Sequence, residues 1–214
     1  MSGGLVDAVG FDLDGTLYTL NDGINDRIRQ HACQTAAGIL SRPYEWVRAE
    51  FERHFAETGS GRISLEQMGI DNGREIVQVA LEEADIGPLL NRDGALAGML
   101  GRLGERFNLY LITSSPRGSA ESKLAHLGVN LDVFDPRIYG ESPLSRRDGS
   151  AFRHVATTYG IALPRMMFVG DREKVDIFPA QSLGLKTAMV NGMSERADYN
   201  LGSIYELEGV LLGT

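Results

Sequence analysis

One cysteine, Cys33, stands in a chain of 214 residues. An internal disulfide is therefore excluded, and a zinc site built on several thiolates is excluded with it. Such sparing cysteine usage fits a reducing compartment, and a cytoplasmic location is the expectation. Basic charge is also scarce. Lys and Arg total 21 against 29 Asp and Glu, a formal net charge of −8. A protein that grips a nucleic-acid polymer needs a basic face, so no such partner is expected, although a nucleotide remains eligible as a small substrate. No apolar run approaches the ~18 residues of a membrane-spanning helix, and no membrane partner is expected. The first thirteen residues lack a basic start and already carry Asp7 and Asp12, unlike a signal peptide. Repeats and low-complexity tracts are missing too.

What is present suffices for a packed core: 43% of residues are hydrophobic and 23% charged. At about 150 residues per domain, the length suits one large domain, or one domain with an insert. Short apolar runs at Leu5–Leu13, Asn108–Thr113, Phe134–Gly140, Met166–Gly170 and Lys186–Val190 have strand length and end in turn signals or polar residues. Between them lie helical spacings: Leu96, Met99, Leu100 and Leu103; Leu124 and Leu127; Phe152, Val155 and Ala156. Val175–Leu183 also reads as helical, with Pro179 starting or kinking it. Alternation of helices with near-continuous apolar strands predicts a parallel sheet covered on both faces. With right-handed crossovers, this gives an α/β protein, a three-layer α/β/α sandwich on a Rossmann-like sheet.

One interval breaks the alternation. From Tyr18 to about Arg92 there is no clear strand, but three helical patterns: Ile24, Ile28, Ala32, Ala36 and Ile39; Val47, Phe51 and Phe55, with Pro43 suited to the first turn; and Ile76, Ala80, Leu81 and Ala84. Glu57–Gly73 is glycine-rich and reads as loop. The expected organisation is an α/β core over residues 1–18 and 93–214, with an all-helical cap over 19–92. The plainer alternative packs these helices into one common core. An insert after the first strand emerges at the carboxyl ends of the strands, where open α/β sheets bind ligands.

Three strand ends carry reactive side chains. The first is Phe11-Asp12-Leu13-Asp14-Gly15-Thr16-Leu17-Tyr18. Alternation along a strand would turn Asp12 and Asp14 toward one space, where two carboxylates need a cation, a shared proton or separation by the turn. Gly15 allows the tight bend. An Asx turn would also account for this stretch. A calcium loop of the EF-hand type would not, because the sixth and twelfth positions from Asp12 are Leu17 and Gly23. The second is Leu111-Ile112-Thr113-Ser114-Ser115-Pro116, a strand followed by a helix start, with Ser115 suited to the N-cap and Pro116 to the first helical position. Backbone N–H groups there can hold an anion; ordinary capping explains Ser115 equally well. The third is Phe168-Val169-Gly170-Asp171, with Asp176 five residues later, where an acid near a helix start is also favoured by the dipole. In a parallel sheet these three ends share one edge. Carboxylates gathered there suit a hard cation such as Mg²⁺, and the hydroxyls and N–H groups suit phosphate oxygens.

These stretches resemble the signatures of the haloacid dehalogenase superfamily, in particular its phosphatases with a helical cap. Asp12-Leu13-Asp14-Gly15-Thr16 looks like the opening signature in full, Leu111–Ser114 like the second, and Gly170-Asp171 with Asp176 like the fourth; the resemblance spans about Val6 to Val190. Asp14 to Tyr18 is also similar to pyrimidine 5′-nucleotidase-like members. The departure is at the third signature, where the family usually shows Lys. No Lys lies between Lys123 and Lys174, and aligning Phe152 puts Arg146 at that position, with Arg147 beside it. Arg supplies charge and a two-pronged donor but a different geometry; a solvated charge pair is the alternative. Ser114 stands where an Asn is often seen.

The resemblance implies a Mg²⁺-dependent phosphatase acting on a small phosphate monoester, a nucleotide or a sugar phosphate. Asp12 would form an aspartyl-phosphate and Asp14 would serve as acid and then base. Thr113, Ser114 and Arg146 would hold the phosphoryl group. Asp12, Asp14 (through its backbone carbonyl) and Asp171 would make the metal site, with Asp176 orienting water on the metal. An acid at position 14 favours phosphoryl transfer over dehalogenation. The cap would close over the site, and residues just after Tyr18 and within Glu57–Gly73 would contact substrate. The alternatives are a phosphomutase on the same scaffold and a phospho-ligand module without turnover. A monomer or homodimer is expected. His31, His54, His126 and His154 are scattered over helical patterns and suit surface or packing roles; Cys33 suits the core, and Asp71-Asn72-Gly73 a turn before a helix.

Overall fold

The computed structural model describes residues 6–213; the expected start of the first strand at Leu5 lies outside them. Six strands form one parallel sheet: β1 (Ala8–Phe11), β2 (Asn108–Ile112), β3 (Arg137–Ile138), β4 (Met166–Gly170), β5 (Lys186–Val190) and β6 (Tyr199–Leu201), in the order β3-β2-β1-β4-β5-β6. The strand order reverses beside β1, which pairs with β2 on one side and β4 on the other. That reversal opens a crevice at the carboxyl ends of these strands.

Both faces of the sheet are covered, which makes the three-layer sandwich. One face sets Ala8, Tyr110, Ile112, Met166 and Phe168 against Ala151, Phe152 and Val155 of α7 (Ser150–Tyr159), and Ala180 of α8 (Phe178–Ser182). Val9, Phe11, Leu111 and Val169, which alternate with those residues, are fully buried as well. Gly10 serves a specific contact. A Cβ there would sit 2.0 Å from the Tyr110 ring, whose hydroxyl donates to the Met167 carbonyl at 3.0 Å. Only glycine lets that ring cross β1.

The described chain separates into two compact units: residues up to Thr19 together with those from Leu90 onward, and Leu20–Leu89. The second is entirely helical, with α1 (Asp22–Leu40), α2 (Tyr44–Thr58), α3 (Gly61–Gln67) and α4 (Gly73–Glu83). Its core is Ile24, Ile28, Val47, Phe51, Leu65, Ile76 and Ala80. In the first unit, α5 (Gly94–Gly104) leads into β2, α6 (Arg117–Leu127) follows it, and α9 (Glu206–Leu212) comes last.

Several elements differ from expectation. Glu57–Gly73 is not a loop throughout, because Gly59 ends α2 in a left-handed conformation and the Ser60 hydroxyl caps α3 by accepting from the Ile63 N–H. Of Phe134–Gly140 only Arg137–Ile138 is strand, since Pro136 has no N–H for the ladder and the chain before it is a 3₁₀ turn at Leu131–Val133. Val175–Leu183 divides into a π-helical turn over Glu173–Ile177 and α8, with Pro179 in the first turn of α8. Pro43 and Pro116 each sit one residue earlier than expected, at the N-caps of α2 and α6. Pro116 thereby takes the place expected of Ser115.

Candidate active site

The site is built at the carboxyl ends of β1, β2 and β4, within the first unit. Asp12 follows β1 and still donates its N–H to the Val169 carbonyl at 2.9 Å. The chain then bends, and the Leu17 N–H bonds back to the Leu13 carbonyl at 3.0 Å. Gly15 makes the bend at φ +81°, and a Cβ there would fall 2.5 Å from Asp171 Oδ2. Glycine thus satisfies a left-handed backbone and lets a carboxylate approach it. Thr16 Oγ donates to Asp171 Oδ1 at 3.3 Å, and the Asn191 side-chain amide donates to the Gly15 carbonyl at 2.9 Å.

The π-helical turn after β4 carries Asp176 inward until it is wholly buried. Its Oδ2 accepts from the Arg172 N–H at 3.0 Å. Gly170 makes room for it, because a Cβ there would lie 2.4 Å from Asp176 Cβ. Asp12, Asp171 and Asp176 each offer an oxygen, all within 4.8 Å of one another.

Arg146, 4% exposed, joins this group. Nη1 lies 2.7 Å from Asp12 Oδ1 and 2.6 Å from Asp176 Oδ1, and Nη2 donates to Ser114 Oγ at 3.0 Å. Arg147 is exposed. A second guanidinium, Arg172, approaches more loosely, with Nη2 3.6 Å from Asp12 Oδ2. Asp12 Oδ2 and Arg172 Nε are both buried without a hydrogen-bond partner. Burial pushes Asp12 up to about 7; Arg146 opposes that rise and Asp176 adds to it. Burial and then the charge of Asp176 raise Asp171 to about 6. For Arg146 burial works against the charge, but the pull of Asp12 and Asp176 outweighs it and the guanidinium's pKa is raised.

Asp14 belongs to a different cluster. Its side chain is not part of the three-carboxylate group, because the bend after β1 ends the alternation that would have aligned it with Asp12. Oδ1 accepts from Lys123 Nζ at 2.7 Å and from the Tyr18 hydroxyl, and Oδ2 accepts from Ser115 Oγ at 2.6 Å. Ser115 in turn accepts from Lys123 Nζ at 2.8 Å. Burial and the neighbouring Asp14 push the Tyr18 phenol upward, so it stays a neutral donor. Thr113 is buried, and its hydroxyl oxygen accepts from the Ser115 N–H at 3.0 Å.

Nothing in the sequence pattern assigns a role to Lys123, Tyr18 or Arg172, and Ser115 is expected there only as an N-cap. Lys123 left a legible signal. The buried stripe of α6 is Ala120, Lys123, Leu124 and Leu127, an apolar helical face with one charged member. The four histidines lie on helices α1, α2, α6 and α7, half-buried or exposed, outside both clusters. Cys33 is buried, as expected.

An open parallel α/β sheet with carboxylates converging at its topological switch point belongs to the class of α/β proteins that bind ligands or cations at that edge. The chain belongs to the haloacid dehalogenase-like hydrolase family, whose model matches residues 6–184. A comparison with curated proteins finds no sequence match. Solved structures share the fold over nearly the whole length. A HAD phosphatase from Thermococcus onnurineus is 21% identical, with TM-score 0.65, covering 96% of this chain and 98% of that one. A structure from Thermotoga maritima described as a β-phosphoglucomutase is 17% identical, with TM-score 0.62 and coverage of 98% and 100%. The HAD-hydrolase YfnB from Bacillus subtilis, described as bound to magnesium, is 18% identical, with TM-score 0.61 and coverage of 98% and 100%. Among the described residues, no helix is long and apolar enough to cross a membrane.

Proposed function

We propose that this hydrolase is a Mg²⁺-dependent phosphatase that cleaves small phosphate monoesters, nucleotides or sugar phosphates, through an aspartyl-phosphate on Asp12. The observation that carries this reading is the state of the Asp12 carboxylate. Arg146 holds one oxygen, while the other is buried without a hydrogen-bond partner beside two further carboxylates. A nucleophile needs that combination of fixed orientation and an uncommitted lone pair.

The same orphaned oxygen tests the fit of a cation. A buried carboxylate oxygen lacking a donor, with oxygens of Asp171 and Asp176 close by, is an all-oxygen donor set suited to Mg²⁺. Asp12, Asp171 and Asp176 would hold the ion, with the Asp14 backbone carbonyl as the proposed fourth protein ligand. Its charge, when bound, offsets the repulsion between a carboxylate and a phosphate dianion.

The chain's own residues supply the rest. An oxygen of Asp12 attacks phosphorus, and the bond from phosphorus to the ester oxygen breaks. Asp14 gives its proton to the departing oxygen. Water then attacks the phosphorus of the acyl phosphate, passing a proton to Asp14 and releasing Asp12 with inorganic phosphate. The Thr113 O–H and the Ser114 N–H are assigned to a phosphoryl oxygen. Arg146 fixes Asp12 and offsets phosphate charge, taking the part that Lys plays elsewhere in the family; a module that binds without turnover is correspondingly less favoured. Residues 20–89 are the candidate cap and the candidate source of substrate selectivity. The resemblance of Asp14 to Tyr18 to pyrimidine 5′-nucleotidases makes nucleoside monophosphates the first compounds to try.

Steady-state phosphate release from a panel of nucleotides, sugar phosphates and nitrophenyl phosphate, with and without Mg²⁺, tests this reading. Release that needs Mg²⁺ supports it. Phosphoryl transfer only to a second phosphosugar, with none to water, would instead identify a mutase.

A further inference from the structure

We infer that Lys123 is a positioning residue for the proton chemistry of Asp14, working together with Ser115. The inference rests on the role proposed above for Asp14. Lys123 is 1% exposed, on the apolar stripe of α6. A lysine there loses its hydration, so its ammonium must be paired. Stability alone does not explain it, since buried ion pairs are often replaceable by apolar residues at little cost. The pairing is specific: Nζ reaches Asp14 Oδ1 at 2.7 Å and Ser115 Oγ at 2.8 Å, and Ser115 passes its own proton toward Asp14 Oδ2 at 2.6 Å.

The donors and acceptors fit together in one way. An ammonium only donates, so Ser115 accepts from Lys123 and its O–H points to Asp14. The neutral Tyr18 phenol donates to the same oxygen as Lys123. Of roughly four acceptor directions on a carboxylate, three are filled, and the one left open is on Oδ2. The three donors thus fix the orientation of the Asp14 carboxyl and leave one acceptor direction, on Oδ2, open for the proton exchange proposed above. The Lys123 ammonium bonds to Asp14 and Ser115 and not to the three-carboxylate group, so its effect on the reaction passes through Asp14.

Kinetics on two esters, nitrophenyl phosphate and an alkyl ester such as ribose 5-phosphate, test this. The proteins are the wild type, Asp14→Asn, Lys123→Met, their double variant and Ser115→Ala, all with Mg²⁺. A nitrophenolate leaves without a proton, whereas an alkoxide needs one. Lys123→Met is expected to lower kcat about 10²-fold on the alkyl ester, within the usual worth of acid–base catalysis, and only a few-fold on nitrophenyl phosphate, with KM little changed on both. The double variant should be no slower than Asp14→Asn alone, and Ser115→Ala should shift the two esters in the same sense by less. Equal losses on both esters, or losses that add to those of Asp14→Asn, overturn the inference. Should Lys123→Met fail to fold, Ser115→Ala decides by the same comparison. A wild type that releases phosphate from neither ester would strike down the phosphatase reading itself, which separates the two failures.

Discussion

Arg146 Nη1 lies 2.7 Å from Asp12 Oδ1, and both side chains are almost wholly buried. The same nitrogen is 2.6 Å from Asp176, so one guanidinium keeps two carboxylates in place. Arg146→Met leaves Asp12 and Asp176 facing each other with only the looser Arg172 guanidinium as counter-charge. Removing one partner of a buried pair costs about 3–5 kcal/mol. The expected outcome is a lowered Tm without added Mg²⁺ and a loss of kcat/KM of at least ~10²-fold, in the range for removing one electrostatic stabiliser. Arg147→Ala, at an exposed position, should match the wild type in both measurements. Loss of activity in Arg147→Ala, with Arg146→Met unaffected, would reverse the assignment.

Gly15→Ala probes the bend itself. The left-handed backbone at φ +81° and a Cβ placed 2.5 Å from Asp171 Oδ2 act together. Backbone strain of this kind costs about 1–3 kcal/mol, and Asp171 must move to relieve the clash. Thermal unfolding should show the destabilisation, and the Mg²⁺ concentration for half-maximal activity should rise. A variant with unchanged Mg²⁺ dependence would argue against Asp171 as a ligand.

Stability should depend on pH in a defined direction. In the protein without metal, burial raises Asp12 from 3.8 to about 7 and Asp171 from 3.8 to about 6. The folded chain then holds these protons more tightly than the unfolded chain. Their stabilisation is present in full below the unfolded value and is lost as pH climbs through 6 and 7. With a chelator present, Asp12→Asn should therefore unfold a few degrees higher than the wild type at pH 8, and the gap should shrink toward pH 5. Parallel Tm curves for the two proteins across that range would contradict an Asp12 carboxyl raised by burial.

Asp14→Ala should separate substrates by their leaving groups. Esters of alcohols should lose activity by ~10²-fold or more, the lower end of acid–base contributions, while nitrophenyl phosphate loses far less. Equal losses would remove Asp14 from the role of acid.

The apolar runs of β4 and β5 were legible to the residue, because strands buried on both faces carry little else. β6 was not, since two of its three residues are exposed and leave no apolar run. Helix α3 was hidden by glycines that act as a stop for α2 and a start for α3 rather than as loop. In the site, the sequence pattern picked out Asp12, Asp171 and Asp176, the family resemblance added Arg146 or Arg147, and the structure brings the three carboxylates together with Arg146. It did not reveal that Asp14 turns away to Lys123, because that pairing joins positions 109 residues apart and no local pattern records it. The hydroxyls following β2 were also divided differently from expectation: Ser114 meets Arg146, while Ser115 meets Asp14 rather than capping α6.

The covalent step can be tested most directly by quenching the enzyme in acid during turnover of a phosphate ester with Mg²⁺ and mapping the phosphoryl group by mass spectrometry. The expected result is a phosphoryl group on the peptide that carries Asp12, absent in Asp12→Asn, together with loss of steady-state phosphate release in that variant. Activity within tenfold of the wild type in Asp12→Asn, or a label on any other residue, would contradict the assignment of Asp12 as nucleophile.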